Sequence, residues 1–293
     1  MTRVAGAARI GGSVAADIDT NGRVWFITGA SRGLGRAFAE EALAAGDRVI
    51  GVARDVSPLA GLVERAQGRL VAYPLDVSDR AAVMAGVRRA VSVFGRLDVV
   101  VNNAGGAMLG MIEEISEEQA RRHLDTNLFG ALWVAQAVTP FLREQRSGHL
   151  LMISSLGSAG GFASTGLYGA GKAAVGAISD ALAMELADFG VHVTLVGPGG
   201  YETGLFTQGL TLADPNPAYA ELRARLERLW GESRDFDPAD AARVLREIVD
   251  LASPPRRIVL GGVAFDMVAE LERTRWAEYA RWEALSRRAD RPC

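Results

Sequence analysis

Tyr168 and Lys172 are the residues of this chain whose types and spacing most directly suggest chemistry. They lie four positions apart, just ahead of a stretch with a helical pattern from Ala173 to Phe189. Residues four apart share a helix face, so the ammonium can stabilise an ionised phenol and lower its pKa. Such a phenol can act as a general acid and base. The same spacing also occurs in ordinary surface helix pairs, so other segments must decide between the two roles.

A glycine-rich turn follows the first apolar run of the chain. Val24 to Ile27 leads into the stretch Thr28 to Gly35, which has glycines at positions 29, 33 and 35. Glycine permits positive φ and a close approach to the backbone, and a helix beginning near Gly35 would offer amides and partial positive charge to a pyrophosphate. The spacing differs from G-x-G-x-x-G, so an ordinary strand-to-helix turn is the alternative.

Two arginines bear on which nucleotide such a turn would bind. A site selective for NAD normally has an acid after the second strand, whereas this chain has Ala53 followed by Arg54. Arg54, with Arg32 from the glycine turn, can pair with a 2′-phosphate, which predicts NADP(H) over NAD(H). Alternatively, both are solvated surface residues. Asp76, after the third strand, is expected either to bind an adenine amino group or to belong to the turn before the next helix.

The elements that must position these residues are short β-branched runs alternating with helical patterns. This alternation predicts a parallel sheet with right-handed helical crossovers, and continuous apolar strands indicate helices on both faces. The fold class is therefore α/β, a Rossmann-type doubly wound parallel seven-stranded sheet in a single domain, with ligands beyond the carboxyl ends of the strands. The predicted strands are Val24–Thr28, Arg48–Ala53, Leu70–Pro74, Leu97–Asn102, His149–Ser154, Val191–Val196 and Arg257–Leu260.

The composition narrows the class of protein. The 293 residues are 49% hydrophobic and 23% charged with a net charge of −3, which suits one globular domain and lacks the basic stripe that nucleic-acid binding requires. The single cysteine, Cys293, fits a reducing cytoplasm, and the three histidines are too far apart to indicate a metal site. No apolar run reaches the ~20 residues of a membrane span. Residues 1–21 are expected to form a flexible extension.

The motifs, in their order along the chain, resemble the short-chain dehydrogenase/reductase family in its compact single-domain branch. The resemblance covers about residues 23–262. One departure is Gly197, where the family often has asparagine, and this puts a local hydrogen bond in doubt. The motifs that carry the resemblance are the glycine turn, Asn102-Asn103-Ala104-Gly105, Asn127, Ser155, Tyr168 with Lys172, and Pro198-Gly199 with Thr203.

The resemblance implies hydride transfer between a nicotinamide and a carbonyl or alcohol carbon. Tyr168 would give or take the proton, Lys172 would lower its pKa and hold the nicotinamide ribose, and Ser155 would bind the substrate oxygen. Asn127 would hold a water that relays protons. Strand-end turn contacts are the structural alternative for Ser155, and backbone capping is the alternative for Asn127. Ser154 is expected to be structural.

The implied cofactor site draws on several segments. Gly105 would let the cofactor pass close to the backbone. Pro198-Gly199 would bend the chain under the nicotinamide, and Thr203 or the Tyr201 backbone would meet the carboxamide. An oxidised nicotinamide would help to lower the pKa of Tyr168. The full predicted set is Gly29, Ser31, Arg32, Gly33, Leu34, Gly35, Arg54, Asp76, Val77, Asn103, Ala104, Gly105, Tyr168, Lys172, Pro198, Gly199, Tyr201 and Thr203.

Residues 204–235 correspond to the mobile substrate lid of the resembled family. The segment has a helical stripe of Tyr219, Leu222, Leu226 and Leu229, a pattern that also suits an ordinary helix packed on the core. A fairly apolar substrate is expected because the pocket residues are apolar and few charges lie near them. The expected pocket residues are Leu156, Phe162, Leu205 and Phe206.

The chain is divided into the extension 1–21, the main domain 22–262 and a helical extension 263–293. Within the last, Phe265 to Arg288 is expected to form a charged helix. It would cover this subunit or a partner, or alternatively lie near the pocket entrance. The resemblance implies a homodimer or homotetramer assembled through the helices that bear Tyr168 and Asn127. The apolar residues of the extension are Val268, Leu271, Trp276, Tyr279, Trp282 and Leu285.

The leading functional hypothesis is an NADP(H)-dependent ketone reductase, or the reverse alcohol dehydrogenase, acting on a small to medium apolar molecule. A non-catalytic NADP-binding regulator is one alternative, although regulators of this kind characteristically lose the catalytic tyrosine or lysine. An epimerase or dehydratase that uses the cofactor transiently is the other, although those relatives have a larger carboxyl-terminal domain.

Overall fold

A computed structural model describes residues 22–231 and 235–290 of the chain. The predicted extension 1–21 lies outside the described residues, as do residues 232–234 of the predicted lid and residues 291–293 of the carboxyl-terminal extension. None of the described helices has the length and the apolar character needed to cross a membrane.

A parallel seven-stranded sheet forms the centre of the fold, which confirms the predicted fold class. All six strand pairings within it are parallel, and the strand order is β3-β2-β1-β4-β6-β7-β9. The order reverses at β1, so crossovers run to both sides of the first strand. The strands are β1 Val24–Thr28, β2 Arg48–Ala53, β3 Leu70–Pro74, β4 Val99–Asn102, β6 Gly148–Ile153, β7 Val191–Pro198 and β9 Arg257–Leu260.

Helices cover both faces of this sheet because its strands are apolar on both sides. Within β1, Val24 and Phe26 pack into the core beneath α3, α5 and α6, while Trp25 and Ile27 pack beneath α1, α2 and α8. The two cores therefore hold the sheet from opposite sides. The helices are α1 Gly33–Ala44, α2 Ala60–Arg65, α3 Arg80–Phe94, α4 Glu117–Leu124, α5 Gly130–Gln145, α6 Gly166–Glu185, α7 Ala220–Gly231, α8 Pro238–Asp250, α9 Gly262–Arg281 and α10 Glu283–Ser286.

A second, two-stranded sheet was not predicted from the sequence. β5 (Ala107–Leu109) pairs in parallel with β8 (Leu210–Leu212) and joins the segment after β4 to the predicted lid. Strands of three residues carry too little periodicity to be recognised in a sequence.

The lid and the carboxyl-terminal helix differ in detail from the expectation. Leu229 is 67% exposed, whereas Leu222, Leu226 and Trp230 are half-buried, so the stripe of α7 is rotated relative to the predicted one. The helix predicted from Phe265 to Arg288 is interrupted at Trp282, between α9 and α10.

Two buried polar side chains, His149 of β6 and Thr194 of β7, form a hydrogen bond with each other. The Thr194 hydroxyl donates to the Pro255 carbonyl oxygen at 2.6 Å, so it accepts from His149 Nε2 at 2.8 Å. This pairing favours the neutral imidazole that carries its proton on Nε2. Burial lowers the pKa of His149 to about 3, with smaller contributions from the charges of His192 and Arg23.

Candidate active site

A cleft with a volume of about 560 Å³ opens at the carboxyl ends of the strands. It is bordered by the glycine turn after β1 and by the segments that follow β2, β3, β4, β6 and β7. Of the predicted site residues, Gly35 and Asn127 are not part of its lining. The cleft brings together Gly29, Ser31, Arg32, Gly33, Leu34, Arg54, Asp76, Val77, Asn103, Ala104, Gly105, Ser155, Tyr168, Lys172, Pro198, Gly199, Tyr201 and Thr203.

The glycine turn requires glycine at several of its positions. Gly29 and Gly33 have φ of +65° and +53°, in the left-handed region that side chains disfavour. At Gly35, a Cβ would overlap the Gly29 carbonyl oxygen. Arg32 precedes α1 without a side-chain cap, so the first amides of this 12-residue helix point toward the cleft without a capping partner. The turn therefore has the shape and the donors of a phosphate cradle.

Thr28 fastens this turn to the segment after β4. The backbone amides of Asn103 and Ala104 donate to the buried Thr28 hydroxyl at 2.9 and 3.0 Å. Asn103 Nδ2 donates to the Thr28 carbonyl oxygen at 2.9 Å. The sequence analysis missed Thr28, although a polar residue at the end of an apolar strand was the available clue. Its contacts fix the distance between two walls of the cleft.

Tyr168, Lys172 and Ser155 meet at the inner end of the cleft. Tyr168 and Lys172 lie on the first turns of α6, and Ser155 follows β6. The Ser155 hydroxyl forms a hydrogen bond to the phenol and accepts one from the Gly157 amide at 3.0 Å. Lys172 Nζ donates to the Ile153 carbonyl oxygen at 3.0 Å. Ser154 is buried and donates to the Lys172 carbonyl oxygen at 3.1 Å, which anchors α6 to the strand.

Without a cofactor, the pKa of Tyr168 is raised, whereas the sequence analysis expected Lys172 and an oxidised nicotinamide to lower it. Burial raises this pKa, and the hydrogen bond from Ser155 opposes the rise. Burial also lowers the pKa of Lys172 to about 8. Because both side chains are buried, desolvation disfavours the charged form of each. Within the protein, the phenol is therefore held in its protonated form at neutral pH.

Asn127 lies behind the cleft wall in a single π-helical turn, Asp125–Phe129, between α4 and α5. Its Oδ1 accepts from the Gly106 amide at 3.1 Å. A Cβ placed on Gly105 would be 2.8 Å from Asn127 Oδ1 and 3.4 Å from Lys172 Nζ, so both polar groups converge on this glycine.

His123 is a buried neighbour of this group that the sequence analysis treated as an ordinary histidine. Asn127 Nδ2 donates to the His123 carbonyl oxygen at 3.0 Å and lies 3.3 Å from its Nδ1. The imidazole is 6.1 Å from the Tyr168 ring, centre to centre, and its buried Nε2 has no hydrogen-bond partner among the described residues. Burial and, to a lesser degree, the Lys172 charge lower the pKa of His123 to about 4. Its position four residues before Asn127 was the available clue.

Arg32, Arg54 and Asp76 all line the cleft, and Arg32 and Asp76 also form local hydrogen bonds within the protein. Arg54 is exposed and lines the cleft beside Asp55, which the sequence analysis did not consider. Arg32 also lines the cleft, but it donates to Gln208 Oε1 at 3.2 Å. Asp76 Oδ1 accepts from the amide and hydroxyl of Ser78 at 2.9 and 2.8 Å, while the residue borders the cleft. Both alternatives for Asp76 are compatible with this placement.

The segment after Pro198 closes one side of the cleft. A Cβ on Gly33 would lie 2.8 Å from Thr203 Cβ, so the glycine turn and this segment are in close contact. Leu205 and Phe206 line the cleft as expected. Leu156 and Phe162 are not part of its lining, since Phe162 packs edge-on against Trp230 of α7 with 5.5 Å between ring centres.

Glu114 contacts the predicted lid at Asn216 and Arg223. Its buried carboxylate accepts from the amides of Met111 and Asn216, both at 2.7 Å, and forms an ion pair with Arg223 of α7. Together with the pairing of β5 and β8, this carboxylate attaches the lid to the segment that follows β4.

Two curated relatives extend over most of the chain. An oxidoreductase BOA17 of Botryotinia fuckeliana is 37% identical over 268 residues, which covers 90% of this chain and 98% of the relative. A 3-ketodihydrosphingosine reductase of Bacteroides thetaiotaomicron is 34% identical over 244 residues, covering 82% and 88% of the two chains.

Solved structures share the fold. A short-chain dehydrogenase from Streptomyces avermitilis is 40% identical with a TM-score of 0.87, covering 92% of this chain and 99% of that one. An enzyme of the same family from Burkholderia phymatum in complex with NAD has a TM-score of 0.74 at 25% identity, covering 85% and 92%. An alcohol dehydrogenase from Thermococcus sibiricus complexed with 5-hydroxy-NADP has a TM-score of 0.69 at 27% identity, covering 81% and 95%.

A family model described as short chain dehydrogenase matches residues 23–210, which span the glycine turn and the residues from Ser155 to Lys172. Sequence, fold and the arrangement of the cleft therefore agree. The chain belongs to the short-chain dehydrogenase family of oxidoreductases.

Proposed function

We propose that the protein is an NADP(H)-dependent oxidoreductase that interconverts a carbonyl group and a secondary alcohol, with Tyr168 as the general acid and base. The observation that carries the proposal is the buried hydrogen-bonded pair of Tyr168 and Ser155, with Lys172 one helical turn away, at the inner end of a cleft that begins at a phosphate cradle. One of the two relatives is named for the reduction of a ketone.

The residues of the cleft fit a dinucleotide cofactor. The amides at the start of α1 and the glycines that leave no room for side chains would hold the pyrophosphate. Lys172 would bind the nicotinamide ribose, and Gly105 would allow close passage of the cofactor. A bound nicotinamide cofactor supplies or accepts the hydride. This role fits a cleft that extends from the cradle to Tyr168.

The proton chemistry follows from the state of the phenol. When a carbonyl is reduced, negative charge develops on its oxygen, which the Ser155 hydroxyl and the Tyr168 phenol can both stabilise by donating hydrogen bonds. Tyr168 then gives up its proton, and the raised pKa ensures that the proton is present at neutral pH. Lys172 and Asn127 would return a proton to Tyr168 through the polar groups that converge near Gly105.

Replacement of Tyr168 by phenylalanine tests the reaction. We expect Tyr168→Phe to abolish turnover of a ketone panel with NADPH while leaving NADPH binding, measured by fluorescence, within about threefold of wild type. The phenol is the proton donor, whereas the cradle lies at the other end of the cleft. Tyr279→Phe, at an exposed tyrosine of α9 outside the cleft, is the control and should retain activity. Turnover in Tyr168→Phe would overturn the proposal, and tight binding without any wild-type turnover would favour the regulator.

The preference for NADPH rests on Arg54. We expect Arg54→Asp to lower the NADPH-to-NADH ratio of kcat/KM by about tenfold or more, because a guanidinium–phosphate pair is lost and a carboxylate repels the 2′-phosphate. Arg36→Asp is a matched control, since Arg36 lies on α1 and pairs with Glu40. An unchanged ratio in Arg54→Asp would contradict the assignment.

The proposed substrate class rests on apolar residues of the cleft. Leu205 and Phe206, which line the cleft, are both apolar. These residues favour a small to medium apolar ketone or alcohol. A homodimer or homotetramer assembled through α4, α5 and α6, and a cytoplasmic location, remain predictions.

A further inference from the structure

A short 3₁₀ turn, Leu156–Ala159, follows Ser155 and lies against the helix that bears Tyr168. Ser155 caps this turn: its hydroxyl accepts from the Gly157 amide at 3.0 Å, and its carbonyl oxygen accepts from the Ser158 amide at 3.0 Å. A hydroxyl that accepts a hydrogen bond still has its own proton to donate. The turn therefore determines the direction in which Ser155 donates.

The turn is packed directly on α6. A Cβ on Gly157 would lie 3.1 Å from Cε1 of Tyr168, and a Cβ on Gly169 would lie 2.8 Å from the Gly157 carbonyl oxygen. Neither position has room for a side chain unless the turn or the helix moves. A displacement of the turn would therefore change the position of the Ser155 hydroxyl relative to the phenol.

The turn is followed by two glycines in unusual backbone conformations. Gly160 has φ of +75° with ψ of −177°, and Gly161 has φ of +87°. The conformation of Gly160 is one that essentially only glycine adopts, and it persists only where the surrounding structure holds it. The end of the turn thus depends on contacts from outside its own segment.

α9 supplies such contacts, and it lies outside residues 23–210, which the family model matches. Arg275 Nη2 donates to the carbonyl oxygen of Ala159, the last residue of the turn, while Nη1 of the same guanidinium pairs with Glu272. Leu271 lies one helical turn before Arg275, and a Cβ on Gly161 would be 3.4 Å from Leu271 Cδ2. The helix therefore holds the end of the turn through one polar and one apolar contact.

The amino end of α9 is fixed beside the cleft. Ala264 is buried, and a Cβ on Gly199, which lines the cleft, would lie 2.7 Å from Ala264 Cβ. At 1.5 Å per residue, Arg275 lies roughly 16 Å further along the helix. α9 is thus anchored at Gly199 and reaches the turn that follows Ser155.

We propose that Arg275 is a positioning residue for the proposed reaction, which it serves by holding the Ala159 carbonyl oxygen and thereby the Ser155 hydroxyl. The inference rests on the proposed function, because it concerns donation from Ser155 to the substrate oxygen. A charge-assisted hydrogen bond restrains the turn, and a displacement of about 1 Å near a reacting group can lower a rate strongly. Arg275 is not part of the cleft lining, so it acts through Ser155.

Two substitutions in the full-length protein separate this role from that of an ordinary surface arginine. Arg275→Met retains an unbranched apolar stem without a donor, and we expect it to lower kcat by about tenfold with an unchanged KM for the cofactor. Arg273→Met is the matched control, since Arg273 is exposed and pairs with Glu270 on the same helix, and it should retain the wild-type kcat. Circular dichroism and thermal unfolding verify that each variant is folded.

The decisive comparison is made in the background of Ser155→Ala, with its residual activity. If Arg275 acts through Ser155, Arg275→Met should lower kcat by less than about twofold once the hydroxyl is absent. An effect that is independent of Ser155 would again be about tenfold.

Hydrogen exchange provides a readout that needs no turnover. The amides of Gly157, Ser158 and Gly160 donate within the segment from Ser155 to Gly160. Their exchange, followed by mass spectrometry of a peptide that covers residues 155–161, should accelerate by on the order of tenfold in Arg275→Met. The control variant should exchange as wild type does.

Unchanged exchange or unchanged kcat in Arg275→Met would overturn the proposal. An equal loss of kcat with and without the Ser155 hydroxyl would also overturn it. A wild type without turnover would instead refute the proposed function, and exchange alone would then decide whether Arg275 holds the turn.

Discussion

His123 and Asn127 line no part of the cleft, but their contacts hold the Asn127 amide beside Gly105 and Gly106. The Asn127 amide is held at both ends, because its Nδ2 faces the carbonyl oxygen and Nδ1 of His123 while its Oδ1 faces the Gly106 amide. An amide can be rotated by half a turn with little change in shape, so its orientation depends on such partners. A neutral imidazole that carries its proton on Nε2 accepts at Nδ1, and the lowered pKa of His123 keeps the ring neutral.

Two substitutions of His123 test whether its Nδ1 orients the Asn127 amide. Asparagine places an acceptor near the position of Nδ1, so we expect His123→Asn to retain kcat within about threefold of wild type. Leucine supplies no acceptor, and we expect His123→Leu to lower kcat by about tenfold, the equivalent of one hydrogen bond. The kcat values are measured by steady-state kinetics at a saturating cofactor concentration. Thermal unfolding verifies that both variants remain folded. Equal losses in the two variants would show that Nδ1 does not orient the amide.

At the scale of elements, the segment that includes the predicted lid is attached at two separate points. Thr203 and Gln208 contact the glycine turn, and β8 with α7 is fastened to β5 and Glu114. Leu205 and Phe206, which lie between Thr203 and Gln208, line the cleft. If the predicted lid opens, the opening therefore requires loss of specific hydrogen bonds and not only the bending of a loop.

Glu114 should control how often the lid opens. A glutamine in its place cannot accept from Met111, Asn216 and Arg223 together, so we expect Glu114→Gln to raise hydrogen exchange of the β8 amides by on the order of tenfold. Exchange in β1 and β4 should not change. Glu117→Gln is the control, because Glu117 is exposed and pairs with Arg121 on its own helix. Unchanged exchange in β8 would mean that the small sheet alone holds the lid.

The elements also show what could be derived from the sequence. The seven strands were predicted to within a few residues because each is a continuous apolar run, and the glycine turn because its backbone leaves no choice of residue type. β5, β8 and the contacts of Thr28 could not be predicted, because they depend on residues that are far apart in the chain. The pKa of Tyr168 was expected to move in the opposite direction because spacing carries no information about burial.

For the whole molecule, the buried histidine at the amino edge of the sheet affects stability in acid. His149 has a pKa of about 3 in the folded chain and an ordinary value near 6.5 when unfolded. Between these values the unfolded chain binds more protons, so the free energy of unfolding falls as the pH falls through this window. The sheet should therefore lose stability below about pH 6.5.

Replacement of His149 by glutamine should remove most of this dependence. Glutamine keeps a donor for Thr194 but does not titrate, so denaturant unfolding of His149→Gln between pH 6.5 and 4 should show a smaller slope. The difference is expected to approach about 1.4 kcal/mol per pH unit. His192→Gln, at the exposed neighbouring histidine, should retain most of the wild-type slope. A His149→Gln slope equal to that of wild type would indicate that other groups dominate acid unfolding.

The contact of Thr203 and Gln208 with the glycine turn also has a consequence for synthesis of the chain. The turn leaves the ribosome early, directly after β1, whereas Thr203 and Gln208 follow β7, more than 160 residues later. A nascent chain that has formed β1 to β4 contains the glycine turn but not yet Thr203 and Gln208, which contact the turn in the folded protein. The cofactor that we propose for this cleft could be enclosed only after the segment beyond β7 has emerged, so its capture would be a late event in biosynthesis.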